Sequence, residues 1–267
     1  MIRKAYVDTG DGQLHYRYTS GGSGLPIVLM HLNGSTSEAY EAVMRELDGT
    51  VPTFAFDSPN NGESFRTDKT PSIGYMAQVI LEAMSNLGVP RFHALGHHTG
   101  AHIALELACS APQAVASAVL SGTSGVTPEE GQNYIKAMAI PNPPTIYGTQ
   151  IMTAWTRTLV LEQQVIPGLE EWRHRECLAM LKAGNYFRWG YQAVFTDTME
   201  EKLNRVTRPV FFIVGRRDPV WPEHNREVER HPEFPSHVAE HCGLFYADED
   251  PADFARHVLE FIRQHDA

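Results

Sequence analysis

Short apolar runs alternate along this chain with longer segments in which apolar residues recur every three or four positions. The runs have the length of strands, and the longer segments have the period of helices packed on a core. Strands are predicted at 26–30, 51–56, 92–96, 116–120, 209–215 and 237–241. Helices are predicted at about 37–47, 72–86, 100–110 and 252–263. Strands and helices that alternate in this way predict an α/β fold with a largely parallel sheet.

The beginning and the middle of the chain depart from this alternation. Two strand-like segments, 6–7 and 13–19, flank a turn rich in Gly and Asp, which predicts a hairpin. From about 124 to 205 the strand pattern disappears. That region is rich in aromatic residues and interrupted by prolines, and it carries three of the four tryptophans. It predicts a helical insertion between two parts of the sheet.

The segment 96–100, with the sequence Gly-His-His-Thr-Gly, organises the chain around it. An apolar run precedes it and a helical pattern follows, which predicts a strand, a sharp turn and a helix. Gly96 and Gly100 stand where the two backbones are expected to approach too closely for side chains. His98, between them, is expected to protrude at the tip of the turn.

This turn resembles the nucleophile elbow of the α/β-hydrolase superfamily, G-x-S-x-G, with His98 in place of the serine. The order of the other motifs agrees with the resemblance over nearly the whole chain. It implies an eight-stranded, mostly parallel, twisted sheet flanked by helices, with a helical cap inserted after the sixth strand. The hydrolase core is then expected at 1–123 and 206–267, and the cap, or lid, at 124–205.

Two loops that follow strands carry further parts of the resemblance. The segment 31–35 is similar to the family's HG-type loop, which supplies one amide of the oxyanion hole. The resemblance implies that the two oxyanion amides are those of Asn33 and Thr99. The segment 57–64 is similar to the family's D-x-P-G-x-G-x-S turn, in which Asp57 is expected to be structural.

The positions of the triad acid and base are also implied by the resemblance. A buried strand leads into a G-x-x-D-P sequence that places Asp218 at the acid. The family's G-H-F loop aligns with 243–245, where Leu244 occupies the position of the triad histidine. Serine and histidine are therefore both replaced, while the acid stays.

These replacements change the chemistry that is expected. A serine hydroxyl becomes nucleophilic only when a base takes its proton and an acid orients that base. We expect His98 to reach Asp218, which would hold its tautomer and make a His-Asp dyad with His98 as general base. Two alternatives stay open: His98 attacks as a nucleophile itself, or Leu244 fills the space and His98 points into the cavity unsupported.

The other histidines are expected to have lesser roles. His31 opens the oxyanion loop and is expected to brace it, and His241 would act as a base only if its loop rearranged. Both are accessory candidates. His97 is expected to turn away from the cavity. His102, four residues after His98, has the spacing of a metal ligand pair, but no acidic partner accompanies it, so we expect neither metal nor cofactor.

Composition limits the partners. A net charge of -10 disfavours phosphate backbones and anionic membrane surfaces, so neither nucleic acid nor membrane is expected to bind. Three widely separated cysteines are expected to be free thiols in a reducing compartment, and the N-terminus lacks the apolar stretch of a signal peptide. We expect a cytoplasmic protein with a small-molecule substrate, and nothing indicates a homo-oligomer.

The predicted function follows from the pocket and the base together. Aromatic residues of the cap that face inward would line an apolar pocket suited to an aromatic or alicyclic ligand. We therefore expect an enzyme that acts on a small, fairly apolar ester, lactone or carbonyl compound. The alternatives are a lyase or cofactor-free oxygenase on the same scaffold, and a catalytically silent ligand-binding homologue.

Overall fold

The computed structural model describes residues 1–69, 72–158 and 169–266. Eight strands form one sheet in the order β1-β2-β4-β3-β5-β6-β7-β8. The pairs β1·β2 and β2·β4 are antiparallel, and all other neighbours are parallel, as predicted. The strands are β1 Arg3–Thr9, β2 Gly12–Thr19, β3 Ile27–Met30, β4 Thr53–Phe56, β5 Phe92–His97, β6 Val115–Ser121, β7 Val210–Arg217 and β8 Ser236–Gly243.

Helices cover both faces of the sheet and fill the interval between β6 and β7. Those that the sequence predicts are present, although the first begins with a 3-10 turn at Ser37–Tyr40. The sequence does not predict α9 or α10. The helices are α1 Glu41–Leu47, α2 Ile73–Asn86, α3 Thr99–Ser110, α4 Pro128–Met138, α5 Thr149–Arg157, α6 Leu169–Ala183, α7 Phe187–Phe195, α8 Met199–Leu203, α9 Trp221–Arg230, α10 Tyr246–Glu249 and α11 Pro251–Ile262.

The core has two layers because successive side chains of a strand point to opposite faces of the sheet. In β3, Val28 and Met30 pack with the apolar faces of α2 and α3, while Ile27 and Leu29 pack with α1 and α11. All four are fully buried. This is why β3 has no polar position: a parallel strand covered on both faces has no side that meets water.

The segment expected to form a cap lies between β6 and β7. It contains α4 to α8 and no strand among its described residues. Residues 159–168 of that segment lie outside the described residues. Within the described ranges, no helix is both long and apolar enough to cross a membrane.

Asp57 holds three segments together near the end of β4. Its carboxylate is 1% exposed. Oδ2 accepts from His15 Nδ1 and from the backbone N–H of Glu63, both at 2.9 Å, and Oδ1 accepts from the N–H of Ser37 at 2.7 Å. Burial alone would raise the pKa of Asp57, but these donors, His15 foremost, hold it well below its usual range. Asp57 is a structural anion, as its motif implies.

We predict that Asp57→Ala lowers the free energy of unfolding by about 3 kcal/mol, because it leaves buried donors without an acceptor. The contribution is present above the unfolded pKa of 3.8 and is lost as the pH falls towards the lowered folded value. Urea unfolding at pH 7 and pH 3 measures both effects. Asp8→Ala, which removes an exposed carboxylate bonded to Gln13, is the control and changes stability by less than about 0.5 kcal/mol. Equal effects of the two substitutions at pH 7 would contradict the structural role.

Candidate active site

The turn between β5 and α3 brings their backbones into contact. His98 alone forms the turn, with a φ of 50° and a ψ of -110°. A Cβ atom on Gly96 would lie 1.8 Å from the carbonyl oxygen of Gly100, and one on Gly100 would lie 1.9 Å from that of Met30. Both positions therefore require glycine. The strained backbone between them directs the His98 side chain out of the turn.

His98 reaches Asp218, the contact that the sequence predicts. Its Nε2 lies 3.0 Å from both Oδ1 and Oδ2 of Asp218, which directly follows β7. Gly122, directly after β6, leaves room for the contact, because a Cβ there would lie 2.9 Å from His98 Nε2 and 3.0 Å from Asp218 Oδ2. The adjacent ends of β5, β6 and β7 thus supply the imidazole, the space beside it and the carboxylate.

Asp218 is a buried anion. Its side chain is 2% exposed, and Oδ1 also accepts the backbone N–H of Val220 at 2.9 Å. Burial alone would raise the pKa of Asp218, but its electrostatic interaction with His98, the nearby ring of His97 and the hydrogen bond from His98 hold it well below its usual range. The carboxylate is therefore ionised at neutral pH and accepts hydrogen bonds only.

His97 is a second imidazole beside the same carboxylate. Its Nε2 lies 3.8 Å from Asp218 Oδ2, and its ring meets that of His98 edge to face with centroids 4.3 Å apart. Burial, followed by electrostatic interaction with the ring of His98, lowers the pKa of His97 to about 4. His97 is thus neutral near pH 7. The cavity bordered by His98, Thr99 and Tyr191 is called the main cavity below. His97 does not border it, in line with the sequence prediction, but the His97 ring faces Asp218.

The contact with Asp218 determines which nitrogen of His98 is free. Because the carboxylate only accepts, Nε2 of His98 carries the proton that is donated to it. In the neutral form of the ring Nδ1 then holds the lone pair, and no described residue donates a hydrogen bond to it. The side chain of His98 is 17% exposed and borders the main cavity.

The two residues expected to supply oxyanion amides border the same cavity. Thr99 is the first residue of α3, where a backbone N–H has no partner within the helix. Asn33 is held from the opposite side, since its Nδ2 donates to the carbonyl of Phe187 at 2.9 Å. The loop after β3 and the start of α3 therefore meet at the cavity beside His98.

His31 and His241 do not have the positions that an accessory base needs. His31 is 2% exposed, its Nδ1 donates to the carbonyl of Leu32 at 2.6 Å, and its Nε2 accepts the N–H of Ser58 at 3.0 Å. Both nitrogens therefore brace the loop, as one reading of the sequence expects. The His241 side chain is 63% exposed and pairs with Asp250 at 2.9 Å away from the cavity. Neither residue borders the main cavity in this structure.

Leu244 borders the cavity but does not displace His98. It is 8% exposed and packs with Phe245 and Trp172. His98 and Asp218 are in contact with Leu244 present. The alternative in which Leu244 fills the space and leaves His98 unsupported is therefore not what the structure shows.

The main cavity has a volume of about 260 Å³ and lies between the sheet edge and the helices of the insertion. One wall is a row of aromatic rings. Tyr134 stacks on Phe195 at 4.9 Å between centroids, Tyr191 stacks on Phe195 at 5.8 Å, and Phe187 meets Tyr191 edge to face at 5.0 Å. Such a wall suits a flat or compact apolar molecule.

A few polar groups interrupt this lining. Arg157 lies over the ring of Phe187 at 4.8 Å and donates to the carbonyl of Met138 at 3.1 Å. Glu223 accepts the hydroxyl of Tyr134 at 2.8 Å. Glu176 is 5% exposed, and burial raises its pKa. These groups allow specific hydrogen bonds to a ligand in an otherwise apolar space.

Sequence reasoning missed a polar cluster at the cavity wall. Ser124 borders the cavity and lies 3.1 Å from Nε2 of His102, whose Nδ1 lies 2.8 Å from Asp197 Oδ2. His102 and His98 therefore do not form a metal ligand pair, because both nitrogens of His102 already have hydrogen-bond partners. The three residues are far apart in the sequence, and only the position of His102 on the buried face of α3 indicated a partner.

One group in the site has the geometry of a metal ligand set. The ligand atoms of His97, His98 and Asp218 lie within 4.8 Å of one another, a spacing compatible with a divalent cation. The sequence predicts no metal here, and the three side chains already have one another as partners. Removal of divalent ions is therefore a necessary control in any assay of this site.

Comparisons with known proteins agree with the fold. The profile described as the alpha/beta hydrolase family matches residues 27–257. A 2-hydroxy-6-oxononadienedioate/2-hydroxy-6-oxononatrienedioate hydrolase of Burkholderia vietnamiensis is 27% identical, over 94% of this chain and 91% of its own. A dihydrolipoyllysine-residue acetyltransferase component of an acetoin cleaving system from Pseudomonas putida is 20% identical, over 97% of this chain and 69% of its own.

Solved structures give the same result for the fold. A hydrolase from Pseudomonas aeruginosa superposes with a TM-score of 0.81 at 21% identity, over 97% of this chain and 98% of that chain. The enol-lactonase from Burkholderia xenovorans superposes with a TM-score of 0.80 at 16% identity, over 97% of this chain and 100% of that chain. With the family profile covering most of its length, the chain belongs to the alpha/beta hydrolase family.

Proposed function

We propose that this protein is an enzyme that hydrolyses a small, fairly apolar ester, lactone or related carbonyl compound with His98 as general base. In this proposal His98 takes the position of the family's serine, and Leu244 that of its triad histidine. Asp218 positions the imidazole of His98. The backbone amides of Asn33 and Thr99 form the oxyanion hole, and the helices between β6 and β7 act as the cap over the substrate.

The observation that carries the proposal is the arrangement of His98 between a carboxylate and a cavity. Nε2 is bonded to Asp218 at 3.0 Å, which leaves Nδ1 as the basic nitrogen of a ring that borders the cavity. The carboxylate stabilises the imidazolium that forms when Nδ1 takes a proton. A histidine held in this way is a general base of the kind that ester hydrolysis needs near neutral pH.

The proposed reaction uses water as the nucleophile. Nδ1 of His98 takes a proton from water while the water oxygen bonds to the substrate carbonyl carbon. The carbonyl oxygen becomes an oxyanion that accepts hydrogen bonds from the amides of Asn33 and Thr99. When the tetrahedral intermediate collapses, the carbon–oxygen bond to the leaving group breaks, and the His98 imidazolium returns the proton to that leaving oxygen.

The substrate class rests on the lining of the cavity. Stacked aromatic rings and a volume of about 260 Å³ favour a compact molecule with an aromatic or alicyclic part. Arg157, Glu176 and Glu223 would orient its polar groups. The relative named for hydrolysis of an oxononadienedioate is in line with a carbonyl substrate.

The three alternative functions differ from the proposed hydrolysis in what they require of His98 and in the products they give. A silent ligand-binding homologue does not require the His98–Asp218 contact, yet Gly122 keeps the space for it. A direct nucleophilic role for His98 would give a covalent acyl-imidazole that mass spectrometry detects. A lyase or a cofactor-free oxygenase would use the same base on a carbon-bound or hydroxyl proton of the substrate, and it would fail to release the acid and alcohol that hydrolysis gives.

We predict that His98→Gln and Asp218→Asn each lower kcat for an ester or lactone substrate by about 10²- to 10⁴-fold, because one removes the base and the other its orienting anion. KM changes by less than about threefold if substrate binding depends mainly on the apolar wall. Steady-state kinetics on a substrate found by screening small aromatic esters and lactones provides the measurement.

His241→Gln is the matched control, because it removes an exposed histidine that also pairs with an aspartate. It should leave kcat unchanged. Treatment of the wild type with EDTA should also leave the rate unchanged, because the proposed base is an imidazole that binds no metal ion. Full activity of both the His98 and Asp218 variants would refute the dyad.

We predict that Gly122→Ala lowers kcat at least about 10-fold, because the added methyl group would lie against His98 and Asp218 and separate them. The substitution also carries strain at a φ of 59°. Gly88→Ala controls for strain alone, since Gly88 has a φ of 72° and its Cβ would meet nothing within 4 Å. Activity and thermal melting of both variants are compared. A Gly122→Ala enzyme as active as Gly88→Ala would show that the contact is not needed.

A further inference from the structure

A second group of polar side chains reaches the cavity wall from α3. His102 Nδ1 lies 2.8 Å from Asp197 Oδ2, and His102 Nε2 lies 3.1 Å from the hydroxyl oxygen of Ser124. Ser124 follows β6, and Asp197 lies between α7 and α8. A serine, a histidine and an aspartate are thus joined in a row through the two nitrogens of one imidazole.

The charges determine the direction of these hydrogen bonds. Lys202 forms ion pairs with Asp197 and with Glu106. Burial alone would raise the pKa of Asp197, but the hydrogen bond from His102, the charge of His102 and the ammonium group of Lys202 lower it. As an anion, Asp197 accepts the proton of His102 Nδ1, and His102 Nε2 is left to accept the hydroxyl proton of Ser124. This is the tautomer that activates a serine.

Access distinguishes Ser124 from a similar group elsewhere in the fold. His93 also joins a serine and an aspartate, with Nδ1 2.8 Å from Ser117 and Nε2 3.1 Å from Asp266. Ser117 is fully buried, so its hydroxyl is not accessible from solvent in this structure. Ser124 is 7% exposed and borders the main cavity. Ser124, unlike Ser117, is therefore a residue that a ligand in the main cavity can contact.

We propose that Ser124, His102 and Asp197 form a serine nucleophile system that takes an acyl group from an ester bound in the main cavity. It goes beyond the function proposed above, which uses His98 and activated water and forms no covalent intermediate. The two systems share the cavity and no side chain. Their catalytic groups are therefore separable by substitution.

The acyl transfer balances within these residues. Ser124 Oγ bonds to the ester carbonyl carbon while its proton passes to His102 Nε2, and Asp197 stabilises the imidazolium. The bond from the carbon to the alcohol oxygen breaks, and His102 returns the proton to that oxygen. Water then bonds to the carbon of the acyl-serine while His102 Nε2 takes its proton. The bond from that carbon to Ser124 Oγ breaks, His102 returns the proton to Ser124 Oγ, and the acid leaves.

The test is covalent labelling of the whole, unaltered protein with diisopropyl fluorophosphate. Attack by Ser124 forms an oxygen–phosphorus bond and releases fluoride, and the hydroxyl proton passes to His102. Intact mass spectrometry is expected to show one adduct, and peptide mapping to place it on Ser124. Absence of an adduct after long exposure to millimolar reagent, or an adduct only on another residue, would overturn the proposal.

Variants then separate this system from the dyad and from a structural role. Ser124→Ala is expected to abolish the adduct, and His102→Gln to slow labelling at least 100-fold. His98→Gln and Ser117→Ala are expected to be labelled at the wild-type rate. Labelling of His102→Gln at the wild-type rate would overturn the proposal. If His102→Gln does not fold, Asp197→Asn takes its place, and the wild-type adduct decides independently of either variant.

Discussion

A buried carboxylate at the end of β7 is the constraint on which the site depends. Asp218 is almost wholly removed from water, and a charge in that position must be paired and hydrogen-bonded if the protein is to fold. His98 lies within hydrogen-bonding distance of both of its oxygens, Val220 donates to one of them, and His97 stands behind. The acid that orients a separate histidine elsewhere in the alpha/beta hydrolase family would here orient the residue at the elbow itself.

The parallel sheet explains how such a short contact arises between distant parts of the chain. The ends of β5, β6 and β7 are neighbours, so the residues that follow them, His98, Gly122 and Asp218, meet at one edge. The insertion after β6 closes the space above that edge with stacked aromatic rings. Imidazole, anion and apolar wall are thus brought together by the same topology.

Much of this arrangement is predictable from the sequence, because its signals are local. The spacing of Gly96 and Gly100 requires a close turn, and the strand before Asp218 delivers it to the sheet edge. The polar cluster of Ser124, His102 and Asp197 is not predictable, since its members lie on three elements whose packing no local pattern records.

The protonation state of His98, observed by nitrogen-15 NMR of the labelled protein near neutral pH, tests its proposed role most directly. If His98 is the base, we predict a neutral ring with its proton on Nε2, donated to Asp218, and an unprotonated Nδ1. In Asp218→Asn this single tautomer should no longer be held. A neutral ring with its proton on Nδ1, or a ring protonated on both nitrogens throughout the range in which the enzyme works, would contradict the role of His98 as the base.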